Sequence, residues 1–79
     1  MKSFLVKLTS IADVKNFVSA ASLQPFDIDV VSGRYTIDAK SIMGLFSLDL
    51  TAPIRVEVQS TDEDADLFRS VVADLVVEA

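Results

Sequence analysis

Apolar and polar residues alternate with two different periods along this chain, and the two periods predict strands and helices in turn. A period of two runs through residues 2–8, 26–31 and 54–58, which places Asp27 and Asp29 on the polar side of the second segment. Successive side chains of a strand point to opposite faces, so each segment offers an apolar face to a core. Residues 34–37 follow as a further strand, because the Ser32-Gly33 turn before them allows a positive φ at glycine. The pattern predicts four strands, with a hairpin in the middle.

Apolar residues at steps of three and four predict three helices, each with a capping residue at its start. The first helix begins after Ser10, with Asp13 placed to complete a capping box, and ends near Ser22. The second begins after Ser41, and the third begins after Thr61. The predicted apolar positions are Ile11, Val14, Phe17, Val18 and Ala21 in the first helix, Ile42, Leu45, Phe46 and Leu48 to Leu50 in the second, and Ala65, Phe68, Val71, Val72, Leu75 and Val76 in the third.

The order of elements is therefore β-α-β-β-α-β-α, in a chain of 79 residues that is long enough for one small domain, residues 1–79. We predict an α+β fold, an open-faced β-sandwich with a four-stranded antiparallel sheet and three helices on one face. The same order also describes ferredoxin-like (ACT-like) regulatory modules that bind small molecules. Those modules usually have glycine-rich loops near the ligand, whereas this chain has only Gly33 and Gly44.

Composition excludes several kinds of function. A net charge of -5 opposes binding to nucleic acid, and the absence of cysteine and histidine removes the usual ligands of zinc and redox metals. The acidic run Asp62-Glu63-Asp64 with Asp66 lacks the spacing of a calcium loop and fits a helix start instead. No nucleophile with a base is visible, so we expect neither an enzyme nor a cofactor. No segment is typical of a signal peptide or a membrane span, which predicts a cytoplasmic protein.

The run Lys40-Ser41-Ile42-Met43-Gly44-Leu45 resembles the start of the second helix of HPr, the histidine-containing phosphocarrier of the bacterial sugar phosphotransferase system. HPr proteins also share the predicted order of elements. The resemblance implies an HPr-like fold and a bacterial cytoplasmic protein. It further implies protein partners among phosphotransferase-system or carbon-regulation proteins.

The resemblance also identifies what this chain lacks. HPr proteins carry phosphate on a histidine near the first helix, beside an arginine. Aligning Asn16-Phe17-Val18 with that helix places Ser10 at the histidine position, Ala12 at the arginine and Asp13 at a following proline. A serine ester does not give up phosphate as a phosphohistidine does. We therefore predict a non-catalytic, histidine-less relative with a regulatory role, in which Ser10 serves chiefly as a helix cap.

Two further expectations concern the second helix. The resemblance implies that Ser41 is a candidate for regulatory phosphorylation, with Lys40 beside it, although a helix N-cap is the simpler role. So short a helix cannot bury all of its apolar residues, and in HPr proteins this helix and the start of the first helix dock partners. We therefore predict that Ile42, Met43 and Phe46 bind a partner, while Leu45 and Leu48 belong to the core.

Overall fold

The computed structural model describes residues 2–77, which form one sheet with helices packed against it. The elements are β1 (Ser3–Val6), α1 (Ile11–Ser22), β2 (Asp27–Ser32), β3 (Tyr35–Asp38), α2 (Ile42–Phe46), β4 (Ile54–Gln59), α3 (Asp62–Val71), a 3₁₀ turn (Ala73–Leu75) and β5 (Val76–Val77). The α+β class, the open antiparallel sheet and the three predicted helices are confirmed.

The sheet has five strands in the order β3-β2-β4-β1-β5, where four were predicted. All neighbouring strands are antiparallel, and β4 lies between β2 and β1. The additional strand is short, with Val76 and Val77 opposite Val6 and Leu5. It covers the edge of β1 that β4 leaves open, and the bond from the Lys7 amide to the Leu75 carbonyl oxygen, 2.9 Å long, continues this pairing.

The end of the third helix differs from the prediction because α3 stops at Val71. The backbone of Val72 leaves the helical region, with φ -107° and ψ 25°. Leu75 and Val76 still pack against the core, but from the 3₁₀ turn and β5 and not from a helical stripe. Ala65, Phe68 and Val72 are buried, whereas Val71 is 59% exposed. The prediction of a buried Val71 is wrong because the helix ends at this residue, and the chain after it turns Val72 into the core instead.

The core lies between the helices and one face of the sheet. β1, β2 and β4 contribute Val6, Ile28, Val30, Ile54, Val56 and Val58, and the helices contribute Val14, Phe17, Ala21, Leu45, Ala65 and Phe68. The Phe17 and Phe68 rings meet edge to face, with centroids 5.9 Å apart, which joins α1 to α3. No polar side chain between residues 2 and 77 is buried. Burial of apolar surface therefore holds the helices in place.

The two glycines of the chain have different structural roles. Gly33, with a φ of 58°, makes the turn between β2 and β3. Gly44 lies so close to β3 that a Cβ atom added to it would be 2.5 Å from Cγ2 of Ile37. Glycine is therefore required where α2 approaches the sheet. Among residues 2–77, no helix is both long enough and apolar enough to cross a membrane.

Candidate docking site beside the first helix

Ser10 lies at the N-terminus of α1 and caps it. Its Oγ accepts a hydrogen bond of 3.1 Å from the Asp13 amide, and its own backbone is extended. The hydroxyl thereby satisfies one of the amides that a helix start leaves without a partner in the helix. The structure thus shows the capping geometry expected for Ser10.

The Asp13 carboxylate makes its closest contacts with Thr9, and its weaker interaction with the Ser10 backbone is the reciprocal contact of the predicted capping box. Its Oδ2 accepts hydrogen bonds from the Thr9 amide at 3.0 Å and from the Thr9 hydroxyl at 2.9 Å, one residue before the cap. These two bonds, the amide first, hold the pKa of the Asp13 carboxyl below its ordinary value of 3.8. Asp13 therefore carries a negative charge at neutral pH next to Ser10.

These contacts disfavour a phosphoryl group at Ser10. The Asp13 amide is already engaged by the Ser10 hydroxyl, and the Asp13 carboxylate would repel an incoming anion. Lys7 lies nearby, but its Nζ donates to the Leu50 carbonyl oxygen at 3.0 Å. Ala12 has no charge to offer, although it is exposed. The local charge at this helix start is thus negative.

A shallow pocket of about 480 Å³ lies beside Ser10, between the start of α1 and the end of α2. Its lining residues are Lys7, Leu8, Thr9, Ser10, Ile11, Val14, Phe46, Leu50 and Thr51. Most of the lining is apolar, and the hydroxyls of Thr9, Ser10 and Thr51 lie around it. Such a pocket can receive an apolar side chain together with a few polar groups.

The exposed side chains of this region come from both helices. Met43 is 78% exposed and Phe46 is 44% exposed, and a spacing of three residues places them on the same side of α2. Ile11, at the start of α1, is 64% exposed. The sequence had assigned Ile11 to the buried face, which is wrong because this residue precedes the part of α1 that covers the sheet.

The other apolar residues of this segment face the core. Leu45 is fully buried, and Ile42 and Leu48 are half-buried and pack against the core. Of the three residues predicted to bind a partner, Met43 and Phe46 are therefore accessible, whereas Ile42 presents only part of its surface.

Ser41 caps α2 as Ser10 caps α1. Its Oγ accepts a hydrogen bond of 3.1 Å from the Gly44 amide, and the side chain is exposed. Lys40 does not extend its charge toward Ser41, because its Nζ donates to the Gln24 carbonyl oxygen at 3.0 Å. That bond ties the start of α2 to the end of α1.

Sequence reasoning missed several residues that line the pocket. Lys7, Leu50 and Thr51 lie in the loops that follow β1 and precede β4. Ile11 was recognised from the sequence, but as part of the buried face of the first helix. The loop residues gave no signal, because only the folded chain brings them to Ser10.

Comparison with known proteins identifies the family. Residues 13–78 match the family model described as "PTS HPr component phosphorylation site". The chain belongs to the HPr family. No curated protein has a sequence that matches it significantly.

Solved HPr structures share its fold. The structure of HPr-C-His from Thermoanaerobacter tengcongensis is 24% identical, with a TM-score of 0.77, over 96% of this chain and 91% of that protein. The histidine-containing phosphocarrier protein of a Mycoplasma is 16% identical, with a TM-score of 0.71, over 98% of each chain. These matches favour the HPr-like fold over the ferredoxin-like module. The family match begins at residue 13 and so does not reach Ser10.

Proposed function

We propose that this HPr-family protein acts by binding other proteins and does not carry a phosphoryl group. HPr proteins carry phosphate and are not catalysts, and the full sequence here contains no histidine to accept it. The negative charge of Asp13 beside Ser10 supports the proposal, since a serine that replaced the histidine in function would need a site that welcomes phosphate.

The observation that carries the proposal is that α1 and α2 present exposed apolar side chains around one pocket. Ile11 and Phe46 both line the pocket from opposite helices, and Met43 extends the apolar surface along α2. We name Ile11, Met43 and Phe46 the docking patch, with the half-buried Ile42 at its base. Aromatic residues and methionine are enriched at protein interfaces, and exposed aromatic residues often carry much of the binding energy.

The partners that fit are phosphotransferase-system or carbon-regulation proteins of a bacterial cytoplasm. HPr-family proteins interact with other proteins of that system, and the docking patch occupies the same two helices that the resemblance associates with partner binding. Because this chain has no phosphoryl group to transfer, it would compete with other proteins for a partner's binding surface, or it would stabilise one conformation of the partner.

The docking patch is tested by changing Met43→Ser together with Phe46→Ser. Binding to purified phosphotransferase-system proteins of the host, measured by calorimetry, should weaken by about tenfold or more, because both side chains are removed from the contact. The free energy of unfolding should fall by only about 1 kcal/mol, since Met43 is 78% exposed and Phe46 is 44% exposed.

A matched control removes two exposed apolar residues elsewhere. Leu67 and Val71 on α3 are 62% and 59% exposed, so Leu67→Ser with Val71→Ser changes surface polarity to a similar degree. The control should bind partners as the unchanged protein does. Equal weakening in both variants, or full binding by the folded Met43 and Phe46 variant, would refute the docking patch.

We also propose Ser41 as a residue for regulatory phosphorylation, an inference that comes from the family resemblance. Its hydroxyl is exposed and lies at a helix start, where added negative charge is favoured. Incubation with the serine kinase of the family and ATP should add one phosphoryl group, located on Ser41 by mass spectrometry. Ser41→Ala is the control, and a modification that persists in that variant, or none in the unchanged protein, would exclude the site.

A further inference from the structure

The side of the sheet that faces away from the helices carries its own pattern. The strand pairings define this outer sheet face, whose described members are Ser3, Leu5, Asp27, Asp29, Val31, Thr36, Asp38, Arg55, Glu57, Gln59 and Val77. Among residues 2–77, no helix covers this face, because the buried residues of the strands all lie on the opposite face of the sheet. Four of its members are carboxylates, and one is a cation.

The carboxylates of the outer sheet face lie in one row across neighbouring strands. Asp29 on β2 is directly opposite Asp38 on β3 and also directly opposite Glu57 on β4. Asp27 lies two residues before Asp29 on β2, on the same face. Like charges at directly opposed positions destabilise a sheet, so this arrangement costs the fold stability.

Neighbouring groups offset only part of the repulsion. The Gln59 side-chain amide donates to Asp29 Oδ2 at 3.1 Å, and Arg55 Nε lies 3.2 Å from Glu57 Oε2. Asp38 accepts a hydrogen bond of 2.9 Å from the Lys40 amide, which brings no charge. The outer sheet face therefore keeps a net negative charge, because Arg55 is the one cation among its described members.

A second row beside the carboxylates contains three apolar residues, with Arg55, the ion-pair partner of Glu57, at its centre. This row lies two residues along each strand from the row of carboxylates. Its members, paired in order across the sheet, are Val77, Leu5, Arg55, Val31 and Thr36. Leu5, Val31 and Val77 are half-buried although no helix covers them, because neighbouring side chains shield part of each. Strands are about 4.8 Å apart, so the row extends across roughly 19 Å, which is enough for three turns of a helix.

We propose that the outer sheet face docks a basic amphipathic helix of a partner protein, with its apolar side on Leu5, Val31 and Val77 and its cations over Asp29, Asp38 and Glu57. The two parallel rows match the two sides of such a helix when it lies across the strands. A second copy of this chain would meet the same negative face with its own, and a nucleic acid or an anionic membrane would be repelled. This surface lies on the opposite side of the sheet from the docking patch, so the proposal does not depend on it.

The test uses a synthetic helical peptide of leucine and lysine at amphipathic spacing, and a second peptide in which glutamate replaces lysine. The lysine peptide should bind the full chain, with affinity falling as salt is raised, and the glutamate peptide should not bind. In NMR titrations the largest shifts should come from the methyl groups of Leu5, Val31 and Val77. Failure of the lysine peptide to bind, or shifts confined to α1 and α2, would overturn the proposal.

Variants that lose carboxylates on the outer sheet face distinguish binding at that face from a general attraction of the lysine peptide to an acidic protein. Asp29→Asn with Glu57→Gln should weaken binding of the lysine peptide by about fivefold to tenfold. Glu63→Gln with Asp74→Asn removes two exposed carboxylates on the helix side, and should leave the affinity within about twofold. Equal weakening in both pairs would show that only net charge matters, and would overturn the proposal.

Two further readouts distinguish docking from other effects. The Asp29 and Glu57 variant should melt at a temperature no lower than the unchanged protein, because it relieves repulsion between opposed strands. The Met43→Ser and Phe46→Ser variant should keep its affinity for the lysine peptide, whatever becomes of the docking patch. Loss of peptide binding in that folded variant would assign the peptide to the helix side and overturn the proposal.

Discussion

At the scale of single residues, Asp13 determines the charge at the start of α1. Its carboxylate is held by the Thr9 amide and hydroxyl, one residue before the helix cap. The pair Thr9 and Asp13 thus fixes the loop at the helix start while placing a negative charge there.

Asp13→Asn should lower stability at pH 7 and make it less sensitive to acid. Hydrogen bonds from Thr9 place the pKa of Asp13 in the folded state below its ordinary value of 3.8. The ionised carboxylate therefore stabilises the fold fully above about pH 4, and this contribution is lost as the pH falls through the lowered pKa. The difference between the two proteins in urea midpoint should shrink from pH 7 to pH 3.

The control for this change is Glu63→Gln, which removes one exposed carboxylate from the first turn of α3. It separates loss of the Thr9 contacts from loss of one negative charge. A constant difference between Asp13→Asn and the unchanged protein at both pH values would mean that Thr9 does not favour the ionised carboxyl.

Ser41→Ala should destabilise the protein by about 0.5 to 2 kcal/mol, because the Gly44 amide loses the hydroxyl that now accepts its hydrogen bond at 3.1 Å. Ser41→Asp should be nearly neutral, since a carboxylate can also cap and suits the positive end of the helix. Thermal unfolding of the three proteins measures this. Identical melting temperatures would show that the cap contributes nothing to α2.

At the scale of elements, α2 is held against the sheet by a close approach at Gly44. Gly44→Ala should destabilise the protein by about 1 to 3 kcal/mol, although alanine favours helices by about 1 kcal/mol. The reason is the 2.5 Å distance from the added Cβ to Cγ2 of Ile37. Denaturant unfolding measures the change.

A second substitution tests the cause of that loss. Ile37→Ala removes the γ2 methyl group, so Gly44→Ala should cost less in that background than in the unchanged protein. A double-mutant cycle gives the coupling between the two positions. Additive effects would locate the strain elsewhere in α2.

The helix boundaries were largely predictable, because caps are local. Ser10, Ser41 and Thr61 each accept a hydrogen bond from an amide three residues on, which is the geometry that their positions predicted. The strand β5 was not predictable, since two residues acquire strand geometry only through the edge of β1. The exposure of Ile11 and Val71 was missed for a related reason. The spacing of apolar residues shows which of them share one side of a helix, but it does not show how far along the helix that side is covered by the core.

At the scale of the whole molecule, the candidate site could be predicted only in part. The resemblance identified Ser10, Ser41 and the exposed Met43 and Phe46. The pocket itself joins the loop after β1 to the segment before β4, and such contacts between distant residues have no signature in a single sequence. The same holds for the outer sheet face, whose charges come together only through the strand register.

The whole protein should fail as a phosphocarrier. Incubation with the first enzyme of the phosphotransferase system and phosphoenolpyruvate should leave it unlabelled, because no imidazole is present in the chain. A histidine-containing HPr in a parallel reaction shows that the enzyme is active. An acid-labile phosphate on this protein would contradict the proposed function.

The strand order also bears on how the protein emerges during synthesis. β4 is the central strand and joins β2 to β1, yet it is made after both of them and after α1 and α2. A nascent chain that ends before residue 54 therefore has no partner for β1, and the hairpin of β2 and β3 lacks the rest of its sheet. We expect truncated chains that end before residue 54 to remain open to protease, and released chains that include β4 and α3 to become resistant. The segment made late thus controls when the early strands can fold.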